Sequence, residues 1–329
     1  MYRAKITAAA YYVPEKVVTN HDLAKVLDTS DEWIRTRTGI RERHFAARGE
    51  ATSDLAAAAT KKLLKQRGIE AKEIDCIIVA TVTPDMLFPS TTCVLQEKIG
   101  ASNAWGFDLS SACSGFLYAL ATGSQFVHSG AYSKVLVIGA DLMTSILDPR
   151  DRNTYILFGD GAGGVLLEPT RPGERGIIDF LLRCDGSGGK YLHMPAGGSL
   201  HPATHETIRR NMHVVHQDGR AVFKYAVQGM SDVAETILTR NHMRPSDIDL
   251  FVPHQANIRI IDAAAEKLGL EPNRVVRNID RFANTTAATI PIGLGESYES
   301  KRLQKGDLVL LATFGAGFTA GSLLLRWTL

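Results

Sequence analysis

Two patterns alternate along this chain. Short aliphatic and β-branched runs, free of charge, are separated by stretches in which small and apolar residues recur at helical spacing. Residues 77–82 (IIVATV) read as a buried strand that follows a helix-like segment at 54–66. Residues 134–139, 308–313 and 323–327 read as further strands. Continuous apolar runs of this length suit strands covered on both faces. Their alternation with helices predicts a largely parallel or mixed sheet with helices packed on it. The glycine-rich stretch 185–199 reads as a loop, and no Pro-, Gly- or Ser-rich linker separates two halves.

The order of elements repeats. A small-residue helix from Cys113, strand 134–139, the turn Phe158-Gly159-Asp160-Gly161 and strand 165–168 form one copy. A small-residue segment after Asn284, strand 308–313, the turn Phe314-Gly315-Ala316-Gly317 and strand 322–327 form the other. This predicts a duplicated α/β unit in which Cys113 and Asn284 hold equivalent places across a pseudo-twofold axis. Gly115, Ala119 and Gly123, spaced by four, predict a buried central helix that another helix approaches closely.

Composition narrows the class. A chain of 329 residues, 45% hydrophobic and 22% charged, is an ordinary globular protein large enough for two similar halves. A net charge of +2 without any Lys/Arg block argues against nucleic-acid binding. Cys76, Cys93, Cys113 and Cys184 are widely spaced with no CxxC pair, which argues against a zinc site and a disulfide framework. With no convincing signal segment and no apolar stretch of membrane-spanning length, a cytoplasmic protein is expected.

Three polar groups at predicted strand-to-helix junctions carry the chemistry. Cys113 lies in Ser110-Ser111-Ala112-Cys113-Ser114-Gly115, after the strand-like 105–109 and at the start of a helix. The helix dipole there is expected to lower the thiol by roughly 1.5 units, from about 8.5 toward 7. His254 follows the apolar strand 249–252 and precedes a helix at 258–268; Asn284 precedes the second small-residue segment. Cys, His and Asn suit a thioester hydrolase of papain-like logic, although the Cys-Gly-Ser-Cys-Trp run of that group is absent. They equally suit carbon–carbon bond formation, in which the thiolate takes an acyl group while His and Asn donate hydrogen bonds to an enolate oxygen.

The motifs favour the second use. The chain resembles the β-ketoacyl-acyl-carrier-protein synthase III family, the initiating condensing enzymes of bacterial fatty-acid synthesis, from end to end. The resemblance rests on Asp31-Glu32-Trp33-Ile34, Thr36-Arg37-Thr38-Gly39-Ile40, the Ala-Cys-Ser-Gly-Phe elbow and Phe158–Gly163. It rests also on Asp185–Gly189, Val252–Asn257, Asn278-Ile279-Asp280-Arg281 leading to Asn284, and Phe314–Phe318. It implies a thiolase-like, duplicated αβαβα fold with mixed five-stranded sheets and buried central helices, in two halves, 1–172 and 173–329, working as a homodimer. It implies that Cys113 is the nucleophile, that His254 and Asn284 stabilise the enolate, and that the Cys113 and Ala316 backbones form an oxyanion hole. Trp33, Arg37, Thr38, Arg152, Phe223, Ala256, Asn257 and Arg259 would bind the CoA and pantetheine, and Lys224, Arg259 and Lys267 the acidic carrier protein. Phe88 would reach into the partner's acyl pocket, and Met143 would line it. Acyl-CoA, acetyl-CoA above all, and malonyl-carrier protein would be the substrates, with no metal or other cofactor. Ala283 stands where the family commonly has glycine, and Glu266 where a basic residue is often seen. A related enzyme of secondary metabolism using CoA thioesters is the alternative.

Overall fold

The computed structural model describes residues 3–329, and two β-sheets frame it. Strands of the first run in the order Ala4–Tyr12, Gly161–Pro169, Val135–Asp141, Cys76–Ala80, Trp105–Leu109. Those of the second run Ile177–Cys184, Thr319–Arg326, Leu308–Gly315, Leu250–Pro253. In each sheet the first two pairings are antiparallel and the third parallel. The first sheet ends on a further parallel strand, Trp105–Leu109. In the second, that place holds only a parallel bridge between Phe251 and Val275. The second sheet therefore has four strands where five were expected. The cause is local: the turn Pro272–Arg274 and the polar Arg277-Asn278 leave only two apolar residues, Val275 and Val276, to pair.

Strand alternation builds the layers. Ile77, Val79, Leu136 and Ile138 face Leu55, Ala56, Ala59 and Leu63 of helix Thr52–Arg67. Their neighbours Cys76, Ile78, Val135 and Val137 turn the other way, toward Phe116, Leu117 and Leu120. Val252, Leu311 and Leu323 of the second sheet close that middle layer from the opposite side. Phe251, Leu310 and Leu324 face Met230, Val233, Ile237, Ile261 and Ala264 of helices Gly219–Arg240 and Ile258–Lys267. Period-two side chains buried on both faces thus give a five-layered αβαβα stack.

Two short helices, Gly115–His128 and Thr289–Glu299, occupy the middle layer. The small-residue stripe of the first meets the sheet more than a helix. A Cβ at Gly123 would meet Val137 and Val135, and one at Gly115 would meet Ala80 before Ala287. Each helix is entered through a 3₁₀ turn, Ala112–Ser114 or Thr286–Ala288. Each turn opens on a left-handed residue, Ala112 (φ 45°) or Thr286 (φ 53°). Matching these turns sets Cys113 opposite Ala287. Asn284 lies in the loop upstream and is not the counterpart of Cys113, contrary to the sequence expectation. The second turn meets the first sheet closely because residue 139 is glycine: a Cβ there would lie 2.4 Å from the Ala287 carbonyl oxygen.

Candidate active site

Cys113 is the middle residue of the first 3₁₀ turn and is buried. Its carbonyl accepts from Thr313 Oγ1 at 2.9 Å, and Ser114 N–H donates to Ser111 O at 3.0 Å, so the turn is closed on itself and tied to the second sheet. Burial pushes the thiol up to about 12, aided by the negative Asp141 and opposed by its own N–H and the Asn284 side chain. Desolvation therefore outweighs the helix start, and the expected lowering toward 7 does not hold in the closed site. The Asn284 carboxamide lies within hydrogen-bond reach of the sulfur.

Asn284 is fixed at every other atom. Its N–H donates to Leu157 O at 3.0 Å, its carbonyl accepts from Gly159 N–H at 3.1 Å, and its Oδ1 accepts from Thr286 N–H at 2.9 Å. That leaves the Nδ2 donors for the site. Ala283 before it has φ 55° and ψ −155°, which L-residues adopt only under strain. Of the six non-glycine residues with positive φ among the described residues, Ala112, Ala283 and Thr286 lie beside Cys113 and Asn284. Backbone strain is thus concentrated where the two side chains are aimed.

His254 follows directly on the strand Leu250–Pro253, its N–H donating to Ala312 O at 2.8 Å. The following Gln255 is buried and bonded to Pro253 O, Val276 O and Asn278 N–H, which leaves the imidazole no freedom to swing out. Burial pushes His254 down to about 3, so the ring is neutral across the physiological range. Its Nε2 is buried without a partner. An orphaned atom of this kind costs about 1–3 kcal/mol, which a substrate oxygen would recover.

Sequence reasoning missed Asp141, the last residue of its strand. Its Oδ1 accepts from Val82 N–H at 2.8 Å and from the Thr81 and Thr83 hydroxyls, and its Oδ2 from Ala287 N–H at 3.0 Å. It bolts the second central turn to the first sheet. Nothing in Gly139-Ala140-Asp141-Leu142 signals a carboxylate turned inward.

One cavity of about 480 Å³ joins these groups to the surface. Cys113, His254, Asn284, Phe314 and Gly315 line it, as do Trp33, Arg37, Thr38, Phe223, Ala256 and Asn257. Ser30 Oγ accepts from Trp33 N–H and sets the indole at the start of helix Asp31–Thr38. The Arg37 and Arg152 guanidiniums lie 4.5 and 5.0 Å from the Trp33 ring, so two cations pack against the indole at the mouth. Asn257 donates to Arg37 O at 3.0 Å, joining the two walls of the mouth. Leu192, Gln217, Asp218, Gly219 and Val222 also line it, without a motif that marked them.

Other expected residues stand outside the cavity lining. Met143 is buried behind Phe158 with Leu147 and Val215. Arg259 lies over the Phe223 ring at 5.0 Å. Lys224 is exposed, whereas the Lys267 ammonium is held by Asp232 and Glu235, each at 3.0 Å. Phe88 is 85% exposed. Ala316 follows the strand end at Gly315. Among the described residues, no cluster of His, Cys, Asp and Glu is arranged to hold a metal, and no helix is long and apolar enough to cross a membrane.

The chain that carries this site is similar to known proteins over nearly its whole length. The 3-oxoacyl-[acyl-carrier-protein] synthase III family matches residues 107–186, and its C-terminal part matches residues 238–327. The chain is 56% identical over 326 residues to the beta-ketoacyl-[acyl-carrier-protein] synthase III of Koribacter versatilis, covering 99% of this chain and 98% of the relative. The chain belongs to this family. It is therefore an acyl-transferring condensing enzyme of fatty-acid synthesis. Solved family members from Thermus thermophilus (43% identical, covering 98% of this chain and 99% of that one) and Aquifex aeolicus (40%, covering 98% and 100%) both superpose with TM-score 0.91. The thiolase-like fold is thereby shared across the whole length.

Proposed function

We propose that this synthase III condenses a short acyl-CoA, acetyl-CoA first, with malonyl-acyl carrier protein through an acyl-Cys113 intermediate. The Cys113 sulfur attacks the primer thioester, the C–S bond to CoA breaks, and the thiol proton leaves on the CoA sulfur. Malonyl-carrier protein then loses CO2. The electron pair of the broken C–C bond becomes an enolate whose oxygen takes hydrogen bonds from His254 Nε2 and Asn284 Nδ2. The enolate carbon attacks the acyl-Cys113 carbonyl, and the Cys113 and Ala316 N–H groups receive the tetrahedral oxyanion. Collapse yields β-ketoacyl-carrier protein, and the thiolate regains a proton.

The observation that carries this reading is the single cavity with Cys113, His254 and Asn284 at its floor and Trp33 at its mouth. Trp33, Arg37, Thr38 and Arg152 take the CoA nucleotide, Phe223, Ala256, Asn257 and Arg259 the arm and mouth. Lys224 and Arg259 dock the carrier protein, with Lys267 least available because two carboxylates already hold it. The enzyme works as a cytoplasmic homodimer of chains divided into 1–172 and 173–329, with no cofactor beyond its thioester substrates. Two features support the dimer: edge strand Trp105–Leu109 leaves one side unpaired, and Leu87 and Phe88 are 81% and 85% exposed. Phe88 would close the partner's acyl pocket, with Met143 behind its wall.

Intact-mass measurement after mixing with a panel of acyl-CoAs, followed by malonyl-CoA and malonyl-carrier protein in parallel, tests the reading. A short acyl adduct, then β-ketoacyl-carrier protein, is expected. Condensation on malonyl-CoA alone would assign the chain to CoA-based secondary metabolism, and free acid would assign it to hydrolysis.

A further inference from the structure

The Nδ1 atom of His254 lies 2.7 Å from Thr289 Oγ1, and both side chains are buried. Thr289 is the first residue of helix Thr289–Glu299. Its hydroxyl has one other contact, the Thr286 carbonyl oxygen at 3.2 Å. A hydroxyl has one proton to give. O–H···O bonds run about 2.5–3.0 Å, so the contact to Thr286 is long for one, while that to Nδ1 is of ordinary length. The Thr286 carbonyl already has a partner in the Thr289 N–H. The hydroxyl proton therefore belongs to the imidazole.

The consequence falls on the other ring nitrogen. A neutral imidazole carries one N–H and one lone pair, and the partner of one nitrogen fixes the state of the other. Burial keeps this ring neutral, so protonation to the imidazolium, in which both nitrogens donate, is not available to make Nε2 a donor. Only the tautomer can do so. Nε2 is the orphaned atom of a residue that lines the cavity.

We propose that Thr289 is a positioning residue that donates to His254 Nδ1 and so holds the ring as its Nε2–H tautomer, the form able to donate to the enolate oxygen. This rests on the reading of His254 as an enolate donor. It also explains why the residue at the start of this central helix bears a hydroxyl where packing alone would accept valine, which has the same shape.

The test is direct. In protein labelled with ¹⁵N-histidine, the His254 ring should show a protonated Nε2 and an unprotonated, hydrogen-bonded Nδ1; a protonated Nδ1 overturns the proposal. Thr289→Val should lower kcat for condensation about 10–100-fold, up to the loss typical of one oxyanion donor, with KM for malonyl-carrier protein little changed. Thr289→Ser, which restores the hydroxyl, should recover most of the rate even if the valine variant folds poorly. Unchanged kcat in Thr289→Val, or no recovery in Thr289→Ser, refutes the role of Thr289. His254→Ala measured alongside separates the two ideas. If it condenses normally, the donor reading of His254 fails as well; if it is inactive while Thr289→Val is not, only the tautomer assignment fails.

Discussion

Replacing Gly315 with alanine tests how closely the second sheet is fitted to the first central helix. Gly315 ends strand Leu308–Gly315 and lines the cavity beside Cys113. Its φ is not positive, so alanine meets no intrinsic backbone penalty there. Space is the obstacle: a Cβ would lie 3.0 Å from both Cys113 N and Ser114 N and 3.1 Å from Thr319 Oγ1. The first two are backbone atoms of a turn anchored by Thr313 and Ser111, and they can yield by only tenths of an ångström. Overpacking of this kind costs about 1–3 kcal/mol, a Tm loss of roughly 2–10 °C for a chain of this size. The effect on chemistry should be larger. An oxyanion must sit about 2.7–3.1 Å from its donor, the same distance from Cys113 N that the new methyl would hold. Acylation should therefore slow about 10²–10³-fold, as for loss of one oxyanion donor. Stopped-flow release of CoA from acetyl-CoA, with thermal unfolding in parallel, reads both quantities. Acylation at the native rate with an unchanged Tm would refute the reasoning. A fall in both of only a few-fold would place the oxyanion donors elsewhere.

Other perturbations probe the surrounding parts. Asp141→Asn turns an amide donor or loses an acceptor toward Ala287 N–H, and should destabilise the fold. The Asp141 carboxyl is raised by burial to about 6 from 3.8, so its stabilising contribution is full below the ordinary carboxylate range and lost as pH rises through about 6. The gap between native and variant, roughly 2 kcal/mol wider at pH 4 than at pH 7 by this shift, can be followed by urea unfolding at both pH values; a constant gap would contradict it. Ala283→Gly should leave stability unchanged or raise it by about 1 kcal/mol, because it relieves the φ 55° strain before Asn284; a loss of Tm typical of buried Ala→Gly would contradict this. Trp33→Ala should raise KM for acetyl-CoA about 5–100-fold, the stacking contribution of one base being about 1–3 kcal/mol, and leave acetyl-pantetheine turnover unchanged. Equal effects on both substrates would remove the indole from nucleotide binding.

Much of this was legible because chemistry and element ends coincide. The runs at 77–82, 134–139 and 308–313 are buried on both faces, so their composition marks them as strands; Cys113 and His254 stand where two other strands, Trp105–Leu109 and Leu250–Pro253, give way to helices, and Asn284 stands just before the turn into Thr289–Glu299. What could not be read depends on three-dimensional crowding. The thiol of Cys113 was expected near 7 from its helix start, but its burial and Asp141 push it the other way. The fifth strand of the second sheet shrinks to one bridge at Val275, a loss that only the short apolar run before Arg277 hints at. The stripe Gly115, Ala119, Gly123 promised a helix partner, yet a sheet of β-branched residues uses the same small-residue groove. Asp141 and Thr289 act through contacts about 145 and 35 residues away along the chain, beyond any local motif.

The division of labour among three side chains is measured most directly by trapping the acyl-enzyme in Cys113→Ser, His254→Ala and Asn284→Ala and assaying each for β-ketoacyl-carrier protein. The account predicts no acyl mass on Cys113→Ser, and full acylation without condensation on the other two. Equal acylation of all three, or undiminished condensation by either His254→Ala or Asn284→Ala, would contradict it.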